Sequence, residues 1–289
     1  WYDVRTNVKT FSIMPGHSIG VVRNGSLANM FNGCSYLMSI DFTGFDTTYA
    51  TSMSGFFKGC SRLGTVSLSN IVTANVKAMD SMFDGCNVLR SLDLSLFNVA
   101  NVKTMYRMFN NCQLLESLTY PRNYSSSSVT TMEQMYGNCY ALRYIDMSGF
   151  NTSSVESMAK MFVNCRSLSN INMTNVSVRK VTTLESMFEA CLTLRSVNIS
   201  HFEAPALTNM DKMFYRCQAL TEVVMPTALN STSLRTLNET FASCSILTNI
   251  DLRGVVVSKA VEMKSTFADD LMLREVDLST WTLNPDETV

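Results

Sequence analysis

The amino-acid sequence predicts an α/β repeat fold, a right-handed solenoid of about ten coils with a continuous parallel sheet on one face and short helices on the other. Two observations predict it. A pattern of apolar residues repeats every 26 or 27 residues, and within each repeat the apolar spacing changes from helical to alternating. A period of about 20–50 residues is typical of stacked repeats, because one such unit cannot cover its own apolar face and needs a similar unit on each side.

The period is fixed by cysteine. Nine cysteines occupy one position of the repeat, and Asp270 occupies it in the tenth unit. An aromatic residue precedes each of these ten positions by three residues, and a leucine follows each by three. The two 27-residue gaps contain Pro121 and Pro226. Because proline cannot donate a hydrogen bond to a strand ladder, the extra residue is expected in a loop. The cysteines are Cys34, Cys60, Cys86, Cys112, Cys139, Cys165, Cys191, Cys217 and Cys244.

The segment 155–176 illustrates the two halves of a unit. Its first half predicts a short helix, because its apolar residues recur at three- and four-residue spacings. Its second half predicts a strand, because apolar and polar residues alternate from Leu168 onward. The apolar residues of the helical stripe are Val155, Met158, Met161, Phe162 and Cys165, and those of the strand are Leu168, Ile171, Met173 and Val176.

The repeats divide the chain into three parts. We expect an N-terminal cap over residues 1–22, with a strand within residues 8–13, a solenoid of ten units over 23–283, and a polar tail over 284–289. No signal peptide is visible, and no apolar run approaches the roughly 18 residues that span a bilayer. The chain lacks an initiator Met, so a signal or anchor outside it is left open.

Charge excludes one class of partner. Charged residues make up 16% of the chain and the net charge is −1. Because phosphate binding needs a basic patch, we expect no nucleic acid partner.

Two motifs carry a family resemblance. Leu168 to Val176, Leu-x-x-Ile-x-Met-x-x-Val, resembles the core of the leucine-rich repeat, L-x-x-L-x-L-x-x-N. The preceding pattern N-V-x-x-M-x-x-M-F-x-x-C resembles the BspA-like leucine-rich-repeat surface proteins over about residues 24–283. This resemblance implies a non-enzymatic solenoid, secreted or at the cell surface, that serves adhesion or recognition. It implies no catalytic residue.

The cysteines and methionines are expected to fill the core. One cysteine per unit on the apolar stripe predicts a column of buried free thiols. A disulfide ladder is the alternative, but it needs Cα atoms within about 7 Å of each other. A zinc site commonly uses C-x-x-C pairs, which the sequence lacks, and no cofactor is predicted. Most of the 20 methionines fall on the same stripe.

Polar residues on the predicted strands are the candidate binding site. They would form columns about 4.8 Å apart along the sheet face. Three interpretations stay open: a solvated face whose Asp and Asn support turns, a surface that recognises a protein or glycan, and a calcium site. Tyr144 is a large aromatic at an exposed position, and such residues often anchor contacts. The candidate residues are Asp41, Asp93, Arg143, Tyr144, Asp146, Asn170, Asn172, Asn198, Asp251 and Asp277.

The sequence favours recognition of a protein or glycan ligand on another cell or matrix. The alternative is a structural component that assembles side by side or end to end, so self-association is possible. An enzyme has little support, because His17 and His201 are the only histidines and neither has catalytic or metal-ligand spacing.

Overall fold

The computed structural model describes residues 7–21, 23–121, 124–255 and 262–281. The chain divides into two compact units, Trp1–Leu142 and Arg143–Val289. Each unit is a stack of parallel coils with the predicted period, and together they contain about ten coils. The predicted tail, 284–289, lies outside the described residues, and the predicted domain boundaries stay predictions.

The described residues of the first unit form six short strands that pair in parallel. The pair β1–β3 places Phe11 beside Ile40, and its first strand lies within the predicted segment 8–13. The other pairs are β2–β4 and β5–β6. The strands are β1 Thr10–Phe11, β2 Ile19–Gly20, β3 Ser39–Ile40, β4 Phe45–Asp46, β5 Ser91–Asp93 and β6 Ser117–Thr119.

Where the structure describes the second unit, it also has six strands, each of three residues. They pair as β7–β8, β9–β10 and β11–β12, all parallel. The predicted parallel strands are therefore present, but in both units they associate two by two rather than as one continuous sheet. The strands are β7 Tyr144–Asp146, β8 Asn170–Asn172, β9 Ser196–Asn198, β10 Glu222–Val224, β11 Asn249–Asp251 and β12 Glu275–Asp277.

The prediction of short helices on one face is wrong. No helix occurs in the described residues; the segment expected to be helical is a series of tight turns. Each of these segments starts with an isolated parallel bridge to the neighbouring coil. One run of bridges joins Ser26 successively to Ser52, Ala78, Thr104 and Thr131, and a second run joins Ser157 to Thr183, Asn209, Thr236 and Glu262.

The hydrogen bonds explain why no helix forms. An α-helix requires each amide to donate to the carbonyl four residues earlier. Here the amides of Lys160 and Asn164 donate to Glu185 and Glu189 of the next coil, both at 2.7 Å. The intervening amide of Val163 donates only three residues back, to Lys160 at 3.1 Å. The alternate amides therefore connect the coils, and the chain cannot close a regular helix.

Backbone dihedral angles enforce the turns. Lys160 has φ 58° and Asn164 has φ 59°, both in the left-handed region. The equivalent positions, five residues and one residue before the cysteine position, have positive φ in all ten coils. Residues other than glycine pay about 1–2 kcal/mol for this conformation, so helical spacing alone gave the wrong local structure.

The inward direction of the apolar stripe is confirmed. Val155, Met158 and Met161 are fully buried, as is Leu168 on the strand side. Aromatic rings three residues before the cysteine position stack from coil to coil. Within each unit their centroids lie 5.3–5.8 Å apart, with near-parallel planes. Such pairs add about 0.5–1.5 kcal/mol each beyond the area they bury.

The cysteines are free and buried, as the sequence predicts. The structure adds a reason for cysteine at this position. The Cys191 thiol donates to the Phe162 carbonyl of the preceding coil, with an Sγ–O distance of 3.3 Å, and Cys217 donates equivalently to Phe188 at 3.1 Å. Burial raises the pKa of Cys191 well above its ordinary value, so its reactive thiolate is suppressed.

Candidate recognition surface

The outward residues of the strands form a polar surface in each unit. In β7 the outer residues Tyr144 and Asp146 are exposed while Ile145 is buried. The parallel register places Tyr144 beside Asn170 and Asp146 beside Asn172. This alternation gives one face to the core and leaves the other to solvent.

Eight of the ten candidate residues lie on these outer positions, while Asp41 directly follows β3 and Arg143 directly precedes β7. The ten do not form one cluster. Asp41 and Asp93 belong to the first unit, and the other eight belong to the second. Asn172 and Asp277 are half-buried, and the rest are exposed. β7 and β8 bring five candidates together, namely Arg143, Tyr144, Asp146, Asn170 and Asn172. β11 and β12 bring Asp251 beside Asp277.

Many of the acidic and amide candidates hold turns. Asp146 Oδ1 accepts the amide of Ser148 at 2.9 Å, two residues later. Asp41 does the same for Thr43 at 2.8 Å, and this amide bond is the main reason why the pKa of Asp41 lies below its ordinary value. The turn-supporting interpretation therefore accounts for this column. Equivalent bonds are made by Asp93, Asn172, Asn198, Asp251 and Asp277.

Asp251 and Asp277 are joined by Arg253, which the sequence did not single out. Its guanidinium donates to both carboxylate oxygens of Asp251, at 3.0 and 2.7 Å. It also lies 3.1 Å from Asp277 Oδ2. Hydrogen bonds from the Arg253 side chain, and then from its amide, lower the pKa of Asp251 to about 2. These carboxylates are committed to an internal ion pair.

The first outward position of each strand is different, because its side chain is not needed by the turn. Tyr144 is 50% exposed on β7. Among the described residues, neither Tyr144 nor its neighbour Asn170 makes a side-chain hydrogen bond. Arg90, which directly precedes β5 in the first unit, does have a partner: its guanidinium pairs with Glu116 at 2.7 Å.

A shallow depression of about 310 Å³ lies in the second unit where β8 and β9 lead into their turns. Its buried residues are Ile171 and Met173. Sequence reasoning identified two of its polar residues, Asn172 and Asn198, and missed the turn residues that complete it. The missed residues are Thr174, Asn175, Ser200 and His201. Asn175 and His201 occupy a turn position that is glycine in other coils, such as Gly149, and this contrast was the available signal.

Within the described ranges, no group of three or more His, Cys, Asp or Glu side chains is arranged to hold a metal ion. The same part of the chain contains no helix with the length and apolarity needed to span a bilayer.

Two solved structures are similar to this chain. A leucine rich cell surface protein from Faecalibacterium prausnitzii A2-165 is 16% identical, with 96% of this chain and 89% of that chain covered and a TM-score of 0.48. A leucine-rich repeat protein from Bacteroides ovatus is 19% identical, with coverages of 89% and 78% and a TM-score of 0.35. No curated protein matches the sequence.

The predicted resemblance to bacterial leucine-rich-repeat surface proteins is confirmed. A family model described as "Mycoplasma protein of unknown function, DUF285" matches three overlapping segments, residues 25–143, 118–202 and 195–288. Because these segments together span nearly the whole chain, the protein belongs to this repeat family.

Proposed function

We propose that this chain is a non-enzymatic recognition module, secreted or at the cell surface, that binds a protein or glycan through the outward face of its strands. The observation that carries the proposal is the exposed ring of Tyr144 on β7, at a position that no turn requires. Tyrosine supplies a large contact area with few rotatable bonds, and it is therefore enriched among residues that dominate binding energy.

The arrangement around the ring also suits recognition. Arg143 precedes it, and Asn170 lies beside it in register. These side chains offer a cation, an aromatic ring and an amide on a rigid backbone whose core does not depend on them. Residues at this position vary between coils, from Ser117 to Glu222, while the buried residues keep one pattern. Variable side chains on a fixed scaffold allow the surface to change ligand without changing fold.

The test uses arrays of extracellular-matrix proteins and of glycans, probed with the purified chain. We expect a saturable ligand whose affinity falls about tenfold or more in Tyr144→Ala, the range of an interface anchor. Tyr49→Ala is the matched control, because Tyr49 is 48% exposed but lies outside the strands. Equal losses in both variants, or no ligand on either array, would contradict the proposal.

Homotypic assembly is the second candidate, and one observation favours it. In the last described coil, Leu271 is 82% exposed and Met272 is 45% exposed. Exposed apolar residues of this size are typical of interaction sites. Light scattering coupled to size-exclusion chromatography over a concentration series tests it. Concentration-dependent growth that Leu271→Glu abolishes would support assembly, and a monomer at every concentration would refute it.

A further inference from the structure

The depression in the second unit lies where two neighbouring strands are not paired. β8 pairs with β7, and β9 pairs with β10, so the described residues form no strand pair between β8 and β9. The side chains at this junction line an open depression of about 310 Å³. This value lies at the small end of ligand sites in proteins, which span about 300–1,000 Å³. The space is therefore suited to a small ligand or to one end of a larger one.

The hydrogen-bonding groups around the depression are fixed in orientation. Asn172 Oδ1 accepts the amide of Thr174 at 3.0 Å, and Asn198 Oδ1 accepts the amide of Ser200 at 3.0 Å. A carboxamide carries two N–H donors besides its oxygen, so each bond leaves an NH₂ group available and holds it in place. Two donor groups thus line one depression without the entropy cost of ordering them on binding.

Acceptors complete the set. Asn175 donates through Nδ2 to the Ser148 carbonyl at 3.4 Å, which leaves its own Oδ1 as an acceptor. The hydroxyl groups of Thr174 and Ser200 are exposed and can both donate and accept. Below this rim, Ile171 and Met173 are 6% and 3% exposed and provide an apolar floor.

The lining carries no Lys, Arg, Asp or Glu, since its eight residues are Ile171, Asn172, Met173, Thr174, Asn175, Asn198, Ser200 and His201. A site for a phosphate, sulfate or carboxylate group normally supplies a positive charge. Neutral donors and acceptors above an apolar floor instead match a ligand with many hydroxyl groups and an apolar C–H face.

We infer that this depression binds an uncharged, hydroxyl-rich ligand, a neutral sugar residue at the end of a glycan. The hydroxyl groups of the sugar exchange hydrogen bonds with the amides of Asn172 and Asn198 and with the Asn175 carbonyl. Its C–H face lies above Ile171 and Met173, which close the base of the depression. The inference rests on the proposed recognition function and specifies its ligand class, but it uses residues other than Tyr144.

The experiment is saturation-transfer NMR followed by calorimetric titration of the purified chain. The probes are glucose, galactose, mannose, N-acetylglucosamine, maltose and lactose, with 3′-sialyllactose as the charged counterpart of lactose. We expect saturable binding of at least one neutral sugar. If that sugar is lactose, 3′-sialyllactose should bind no more tightly than lactose, because its added sialic acid is charged.

Asn198→Asp tests the amide donor separately from the turn. An aspartate should keep the turn, because Asp146 makes the same bond to the Ser148 amide on β7. It removes the NH₂ donor and adds a charge, so the sugar affinity should fall about tenfold or more, while the melting temperature changes little. Asn98→Asp is the matched control, since Asn98 is exposed and its Oδ1 accepts the amide of Ala100 at 3.0 Å, but it does not line the depression. It should change the affinity by less than about twofold.

Three results would overturn the inference: no neutral sugar binds saturably, Asn198→Asp binds as tightly as the unaltered chain, or Asn98→Asp loses as much affinity as Asn198→Asp. The outcome is separable from the proposed function. An array ligand that depends on Tyr144 but not on Asn198 would leave the recognition module intact and refute only the sugar site. If neither Tyr144→Ala nor Asn198→Asp weakened binding of the array ligand, the proposed recognition through the strand face would be refuted.

Discussion

Asp270 stands where nine other coils have cysteine, and this predicts a specific pH dependence of stability. Its Oδ1 accepts the Cys244 amide at 2.7 Å, while Oδ2 is buried and has no hydrogen-bond partner among the described residues. Burial, opposed by that amide bond and reinforced by the neighbouring Asp269, raises the pKa of Asp270 from 3.8 to about 7. A raised carboxyl pKa means that the folded chain binds this proton more tightly than the unfolded chain.

The sign follows from linkage. Between pH 4 and pH 7 the folded state holds a proton that the unfolded state has lost, so stability falls as pH rises and the full cost is present above pH 7. For a fully buried group the loss from pH 5 to pH 8 would be about 2.6 kcal/mol, at about 1.4 kcal/mol per pH unit. Because Asp270 is half-buried, solvent screening reduces the expected loss to about 1 kcal/mol.

Urea unfolding at pH 5 and pH 8 measures this difference directly. We expect Asp270→Cys and Asp270→Asn to remove about 1 kcal/mol of the pH 5 to pH 8 loss, and to be more stable than the unaltered chain at pH 8. Asp93→Asn is the control, because it changes the net charge equally but alters a carboxyl whose pKa is lowered. If the Asp270 variants kept the whole pH difference, the burial argument for this carboxyl would be refuted.

Three further substitutions test the coil architecture by chemical denaturation. Arg216 is exposed with φ 61°, in the left-handed region. Arg216→Gly should therefore stabilise the folded chain by about 0.5 kcal/mol, and Arg216→Val should destabilise it by about 1–2 kcal/mol. The opposite order would refute the left-handed conformation at this residue. Gly254→Ala should cost about 3 kcal/mol, because the new Cβ would overlap the Pro226 carbonyl oxygen, and a neutral effect would exclude this close approach. Leu168→Asp should cost about 4 kcal/mol or more, and an unchanged melting temperature would contradict its burial.

The sequence predicts the coils well because one apolar pattern defines both the length of the repeat and its buried positions. Leu168 and Cys165 are inward in any conformation that repeats every 26 residues, so the pattern identifies the core without identifying the backbone. The helix prediction failed because a three- and four-residue spacing also fits successive tight turns. Gly33 and Asn164, both one residue before a cysteine, carried the missing signal, since Gly and Asn tolerate positive φ.

The candidate surface was predictable only in part. Alternation along each strand correctly placed Tyr144 and Asp146 outward. It could not distinguish a side chain that holds a turn from one that is available, because the hydrogen bond from Asp146 to Ser148 depends on the local backbone. The depression beside Asn198 is formed by residues from two neighbouring coils, and no single-residue pattern encodes how these residues meet.

The hydrogen bonds between coils repeat with the same spacing from one coil to the next, and this has an evolutionary consequence. The Ser186 amide donates to Asp211 of the following coil, and the Lys212 amide donates to Asn238 of the coil after that. Within a unit each coil therefore meets the next through the same set of donors and acceptors, a head-to-tail contact that any copy can make with any other. Recombination between adjacent copies in the gene can add or delete one coil without leaving an unmatched junction. The ligand-facing surface then lengthens or shortens by one row of side chains at a time.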